Sequence, residues 1–126
     1  IFQSQNKKYV EEFVKLEKKR NSDLIELHNR PIYLSYLTNK LKNKTYVLYF
    51  HNDPLTMSGS KNISERIFLL KNCFKIIFNS NWSKRRFLEG MKSDYINSEK
   101  LVVINQSAKK NKINLNKKKK DYNICR

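Results

Sequence analysis

An α/β fold with a parallel sheet is what this 126-residue sequence predicts. Three observations predict it. Short apolar, β-branched runs alternate with segments of helical periodicity. The connections between successive runs are about 20–25 residues long, which suits right-handed βαβ crossovers. The densest run, Thr45 to Phe50, is nearly continuous in apolar character, as in a strand buried on both faces of a parallel sheet.

The elements follow in order. Ser4 or Asn6 can cap a first helix, in which Tyr9, Val10, Phe13, Val14 and Leu16 recur at helical spacing. Asn21-Ser22-Asp23 should end it, and Leu24 to Leu27 is a short strand. Pro31 sits where a helix tolerates it, in the first turn, so the next helix runs from Ile32 to Leu41. Lys42-Asn43-Lys44 turns the chain into the Thr45–Phe50 strand, and the polar loop HNDPLTMSGS follows. Ser60 or Asn62 starts a third helix, and Phe74 to Phe78 is a third strand. Ser80 or Asn81 caps a fourth helix that ends near Gly90, with Trp82 expected in the core. Leu101 to Ile104 is the fourth strand. The order is Rossmann-like, with helices flanking the sheet.

After Asn105 the composition changes. Residues 1–106 read as one domain, 107–120 as a basic interdomain linker, and 121–126 as the start of a second, truncated domain. The chain carries 27 basic and 11 acidic residues, a net charge of +16. Such an excess favours an anionic neighbour, either nucleic acid or an anionic membrane surface; the plainer explanation is the codon bias of an AT-rich genome, in which Lys, Asn and Ile dominate. No stretch of about 18 or more apolar residues occurs, so no membrane span is expected. Cys73 and Cys125 have no ligand-like spacing and read as reduced thiols of a cytosolic protein.

The two histidines carry the functional signal. His28 and His51 each end an apolar run, and each is followed by Asn-x-Pro. Ligands of open α/β sheets bind beyond the carboxyl ends of the strands. Parallel strands would therefore place His28, Asn29, His51, Asn52, Asp53, Asn79 and Ser80 on one rim. The plain alternative is turn chemistry, because Asn and Pro make turns cheaply. His51 is the stronger candidate: it precedes the longest internal loop and could hydrogen-bond a substrate hydroxyl. Lys84, Arg85 and Arg86 offer a membrane or anion contact, or form a solvated helix face. One aspartate beside two histidines does not complete a metal site, so no metal is expected. The chain has no G-x-S-x-G, Walker A or G-x-G-x-x-G motif.

The succession DLIELHNRP, YVLYFHNDP, CFKIIFNSNWSKRRF and KLVVINQS resembles the amino-terminal domain of family 4 glycosyltransferases of the GT-B fold, over roughly residues 20–108. One departure stands out: Asn105-Gln106-Ser107 occupies the place of the family's Asn-Gly. The resemblance implies transfer of a sugar from a nucleotide-sugar donor to a glycan or lipid-linked acceptor in surface polysaccharide or glycolipid synthesis. His51 would match the active-site histidine, with His28, Asn29, Asn52, Asp53 and Ser80 lining the acceptor side. No cofactor beyond the nucleotide-sugar co-substrate is implied. The expected location is cytoplasmic, with peripheral contact to the inner face of an anionic membrane. The donor site would lie in the second domain, so the 126 residues are expected to be an inactive part of such an enzyme. The competing expectations are a basic nucleic-acid-binding module or a small α/β signalling module.

Overall fold

The structure is a computed structural model that describes residues 4–105 and 121–125. The linker expected over 107–120 lies outside the described residues. The fold is α/β, built on a parallel sheet of order β4-β3-β2-β1-β5. Its elements are α1 (Ser4–Arg20), β1 (Leu24–His28), α2 (Tyr33–Lys40), β2 (Thr45–Phe50), a 3₁₀ turn (Pro54–Thr56), α3 (Ile63–Asn72), β3 (Lys75–Phe78), α4 (Asn81–Leu88), α5 (Ser93–Ile96), β4 (Leu101–Val103) and β5 (Asp121–Cys125). Every described pairing is parallel. No described helix is long and apolar enough to cross a membrane.

Strands β1 to β4 step across the sheet in one direction. Right-handed crossovers therefore put α2, α3 and α4 on the same face. Burial follows that geometry. Ile25, Leu27, Leu48, Phe50, Ile76 and Phe78 point toward the helices and are buried at 1% exposure or less. The register neighbours on the opposite face, His28, Tyr49, Ile77 and Val102, are only half-buried. The even two-sided burial expected for the strands thus holds for the middle of β2 and fails toward the carboxyl rim.

Local chemistry explains the boundaries. Asn21 and Asn43 take positive φ (57° and 65°) at the ends of α1 and of the α2–β2 turn, a conformation that Asn tolerates better than most residues. Asn62 and Glu65 form a full capping box on α3. Ser80 caps α4. Glu17 is fully buried. It accepts hydrogen bonds from the Ser22 backbone N–H and hydroxyl, and it pairs with Lys44 at 3.4 Å. That arrangement fastens α1 to the strand entrances of β1 and β2. Arg66 is likewise buried, and its guanidinium donates to the carbonyls of Phe87 and Glu89 at 2.7 and 2.9 Å, satisfying the open end of α4.

Three expectations are corrected. Asp121–Cys125, expected to open a second domain, instead extends this sheet as β5, paired from Leu24↔Asp121 to His28↔Cys125. A strand there satisfies ladder groups that the β1 edge would otherwise leave unpaired. Trp82, expected in the core, is 51% exposed. The inward positions of α4 are Ser83, Phe87 and Leu88, and Trp82 falls on the other side of the helix. Phe74, expected in the third strand, is exposed and precedes β3.

Phe50, Phe78 and Phe87 meet beneath the rim with ring centroids 5.4–5.7 Å apart. Phe50 and Phe78 immediately precede His51 and Asn79, so this cluster fixes where the rim begins. Phe87→Ala should cost about 3–5 kcal/mol of stability in urea unfolding. Gly59 ties the loop after β2 to the loop after β1. Its φ is +99°, and a Cβ there would lie 2.5 Å from the Ile32 backbone nitrogen. Gly59→Ala should lower stability by at least about 2 kcal/mol, read as a lower urea midpoint.

Candidate functional site

The β1–β2 register ends with His28 opposite Tyr49. The ladder runs one step further, since the Asn29 N–H donates to the Tyr49 carbonyl at 2.8 Å. Asn29 then takes φ +56°, which turns the chain off the sheet. Its side chain bridges the two loops: Oδ1 accepts from the His51 N–H at 2.7 Å, and Nδ2 donates to Asn52 Oδ1 at 2.8 Å. From the next strand end, Asn79 Nδ2 donates to the His51 carbonyl at 3.0 Å. Both backbone polar groups of His51 are thereby held by asparagine side chains from its two neighbouring strands.

The imidazoles meet directly. His28 Nδ1 lies 3.0 Å from His51 Nε2. The ring planes differ by 9°, and the centroids are 5.2 Å apart. The centroid separation exceeds the nitrogen separation by about one ring diameter, so the rings lie edge to edge. One nitrogen donates and the other accepts. With the two nitrogens facing each other at 3.0 Å, no metal ion fits between them, since its nitrogen ligands lie about 2.0–2.1 Å away. Among the described residues, no group of three or more His, Cys, Asp or Glu is placed to hold a metal. Burial, and then the neighbouring charge of His28, depress the basicity of His51 below that of an ordinary imidazole. On its far side, His28 Nε2 is 3.5 Å from the Glu26 carboxylate. Tyr49 stacks on the His28 ring with centroids 4.3 Å apart and planes 4° apart.

Beside this pair lies an open cleft of about 180 Å³, lined by His28, Tyr49, Phe50, His51, Ile77, Phe78, Asn79 and Ile104. Its walls are mostly apolar, with the two histidines and Asn79 as the polar groups. Such a cavity suits a small molecule with an apolar face and a hydrogen-bonding edge.

The structure sorts the residues singled out from the sequence. His28, Asn29, His51 and Asn52 come together. Ser80 is close in chain position to Asn79, but its oxygen accepts the Ser83 N–H at 3.1 Å as a helix cap. Asp53 caps the 3₁₀ turn and accepts Arg86 in a forked ion pair at 3.0–3.3 Å. Arg86 also pairs with Glu89 at 3.1 Å and lies over the Trp82 ring. Arg85 is exposed and Lys84 half-buried, and none of the three basic residues lines the cleft. Glu26, Tyr49, Ile77 and Ile104 were not anticipated from the sequence as site residues. A signal for Glu26 existed: it is the one carboxylate within an apolar strand, two residues before His28 and hence on the same face.

No protein-family model, no curated protein and no solved structure matches the chain.

The Arg86 hydrogen bond is the main cause that holds the Asp53 carboxyl below the usual carboxylate range. A depressed folded-state pKa stabilises above the unfolded value, about 4, and that contribution is lost as pH falls through the folded value. Arg86→Ala should therefore move the Asp53 titration up toward the ordinary carboxylate range, followed by side-chain carboxyl NMR. It should also reduce the difference in stability between neutral and acid pH.

Proposed function

We propose that this chain supplies the acceptor-side half of a GT-B glycosyltransferase, which moves a sugar from a nucleotide-sugar donor to a glycan or lipid-linked acceptor. The observation that carries the reading is the His28–His51 contact at the carboxyl rim of a parallel sheet, beside a cleft of about 180 Å³. The order of HNRP, HNDP and the later segments, which resembles that family, supports the same reading.

The chemistry fits a sugar ring as the occupant. A pyranose has C–H-rich faces and a hydroxyl-bearing edge. Tyr49, Ile77 and Ile104 would cover a face, while His51 would meet a hydroxyl. Most other rim polar groups are already engaged. Asn29 and Asn52 bind each other, Ser80 caps α4, and Asp53 binds Arg86. They act as the frame, and His51 is the residue proposed to touch the acceptor. The nucleotide phosphates would be held outside the described rim, because the chain has only two glycines and no glycine-rich loop to cradle them. A lipid-linked acceptor would also give a role to exposed Trp82 beside Arg85, a pairing suited to a membrane interface.

Methyl and phenyl hexosides titrated into the ¹⁵N-labelled chain should shift the amide signals of His51, Asn52 and Asn79 at concentrations of about a millimolar. His51→Ala should remove the response while preserving the dispersed spectrum of the fold. In an enzyme containing this chain, the same substitution should lower sugar transfer by roughly 100-fold or more. Unperturbed rim amides at saturating hexoside would overturn the reading.

A further inference from the structure

Glu26 has no place in the reading above, yet it is built into the site. Its side chain is only 9% exposed, and it stands among the apolar residues of β1. A buried carboxylate is costly unless it is paired. Among the described residues the basic group beside it is His28, whose Nε2 lies 3.5 Å away and completes an ion pair when the imidazole is protonated. His28 in turn meets His51 at 3.0 Å. The three side chains form one line, from the sheet interior to the cleft.

We propose that Glu26, His28 and His51 form a proton relay, which makes Nδ1 of His51 the base of the cleft. This rests on the glycosyl-transfer reading only for the identity of the hydroxyl it serves. A neutral imidazole carries one N–H. The Glu26 carboxylate favours that proton on Nε2 of His28. Nδ1 of His28 is then an acceptor, and His51 must donate to it from Nε2. The lone pair of His51 is thereby placed on Nδ1, on a ring that lines the cleft. Asn29 and Asn79 hold the His51 backbone on both sides, which limits alternative ring placements.

The step balances. The O–H bond of a bound hydroxyl breaks, and its electron pair stays on oxygen as the nucleophile. An N–H bond forms at His51 Nδ1. The proton on His51 Nε2 passes to His28 Nδ1. His51 ends neutral, and the positive charge rests on His28 beside the Glu26 carboxylate. Glu26 is a positioning residue here, since it acts through His28.

The surrounding charges leave the relay intact. Tyr49 of β2 stacks on His28 with planes 4° apart. Lys75 of β3 lies in the register row of Val47 and Glu26, one strand beyond Val47, and its ammonium donates to the Glu99 carbonyl at 3.0 Å. Arg30 donates to the Asn29 carbonyl, and Asp53 and Arg86 neutralise each other. On β5, Cys125 is the register neighbour of His28.

Histidine side-chain ¹⁵N–¹H correlation spectra of the chain, followed from about pH 8 downward, test this without any sugar. The relay predicts that the first proton taken up turns His28 into the imidazolium. His51 stays neutral in that step and changes from the Nε2–H to the Nδ1–H tautomer. Glu26→Gln, which keeps the shape, should shift the first charge taken up from His28 toward His51. Cys125→Ser should leave the order of events unchanged. Direct conversion of His51 to the imidazolium in the first step would overturn the relay, as would a Glu26→Gln titration identical to the parent's. A silent hexoside titration with the tautomer exchange intact would remove the sugar and keep the relay. A hexoside response without the exchange would do the reverse.

Discussion

The rim depends on one constraint, the in-register parallel pairing of β1 and β2. Leu24 pairs with Thr45 and His28 with Tyr49, an offset of 21 residues. The repeated His-Asn has a spacing of 23. His51 and Asn52 therefore stand two residues beyond the register partners of His28 and Asn29. That overshoot lets each ring or amide reach diagonally across the strand ends. His28 stacks on Tyr49 beside it and touches His51 ahead of it. A register slip of one residue would turn every β2 side chain to the opposite face and dissolve the site. The aromatic cluster beneath the rim opposes such a slip, because Phe50 and Phe78 are buried at the last strand positions before His51 and Asn79.

Much of this was legible in the sequence, for identifiable reasons. Strand β2 was readable from Thr45 to Phe50 because a run of β-branched and aromatic residues has few other uses. The ends of α1 and α4 were readable from Asn21 and Gly90, residues suited to the positive φ found there. The shared rim followed from the topology rule for parallel strands. Features set by distant pairing were not readable. Asp53 looked like a rim ligand because its partner, Arg86, lies 33 residues away. Trp82 looked like core because tryptophan usually is, yet the apolar stripe of a two-turn helix was already filled by Phe87 and Leu88. The sheet membership of Asp121–Cys125 was hidden by the lysine-rich stretch before it, whose composition says nothing about which sheet the next strand joins.

The rim's polar inventory shows how structure and chemistry divide the work. Asn29 spends both ends of its amide on the frame, and Asn79 spends its donor there. Buried or half-buried amides are costly when unpaired, so these bonds stabilise the loops by leaving few open valences. The same economy narrows where reactivity can reside. A side chain that completes the frame is poorly placed to serve a ligand as well. Depressed basicity at His51 keeps its ring neutral near physiological pH, the state in which an imidazole lone pair can accept a proton.

The large positive charge weighs on the choice of partner in a way the total conceals. Near the cleft the charges are locally compensated. Glu26 faces His28, and Asp53 holds Arg86. The excess lies elsewhere in the sequence: Lys7, Lys8, Lys15, Lys18, Lys19 and Arg20 along α1, and seven lysines within 106–120. A site for a polyanion would concentrate uncompensated cations around the ligand, because attraction between exposed charges fades over about 10 Å at ordinary salt. The described lining does the opposite, with mostly apolar walls and no Lys, Arg, Asp or Glu. Among the described residues the cleft lining therefore suits an uncharged, hydrogen-bonding ligand better than a polyanion.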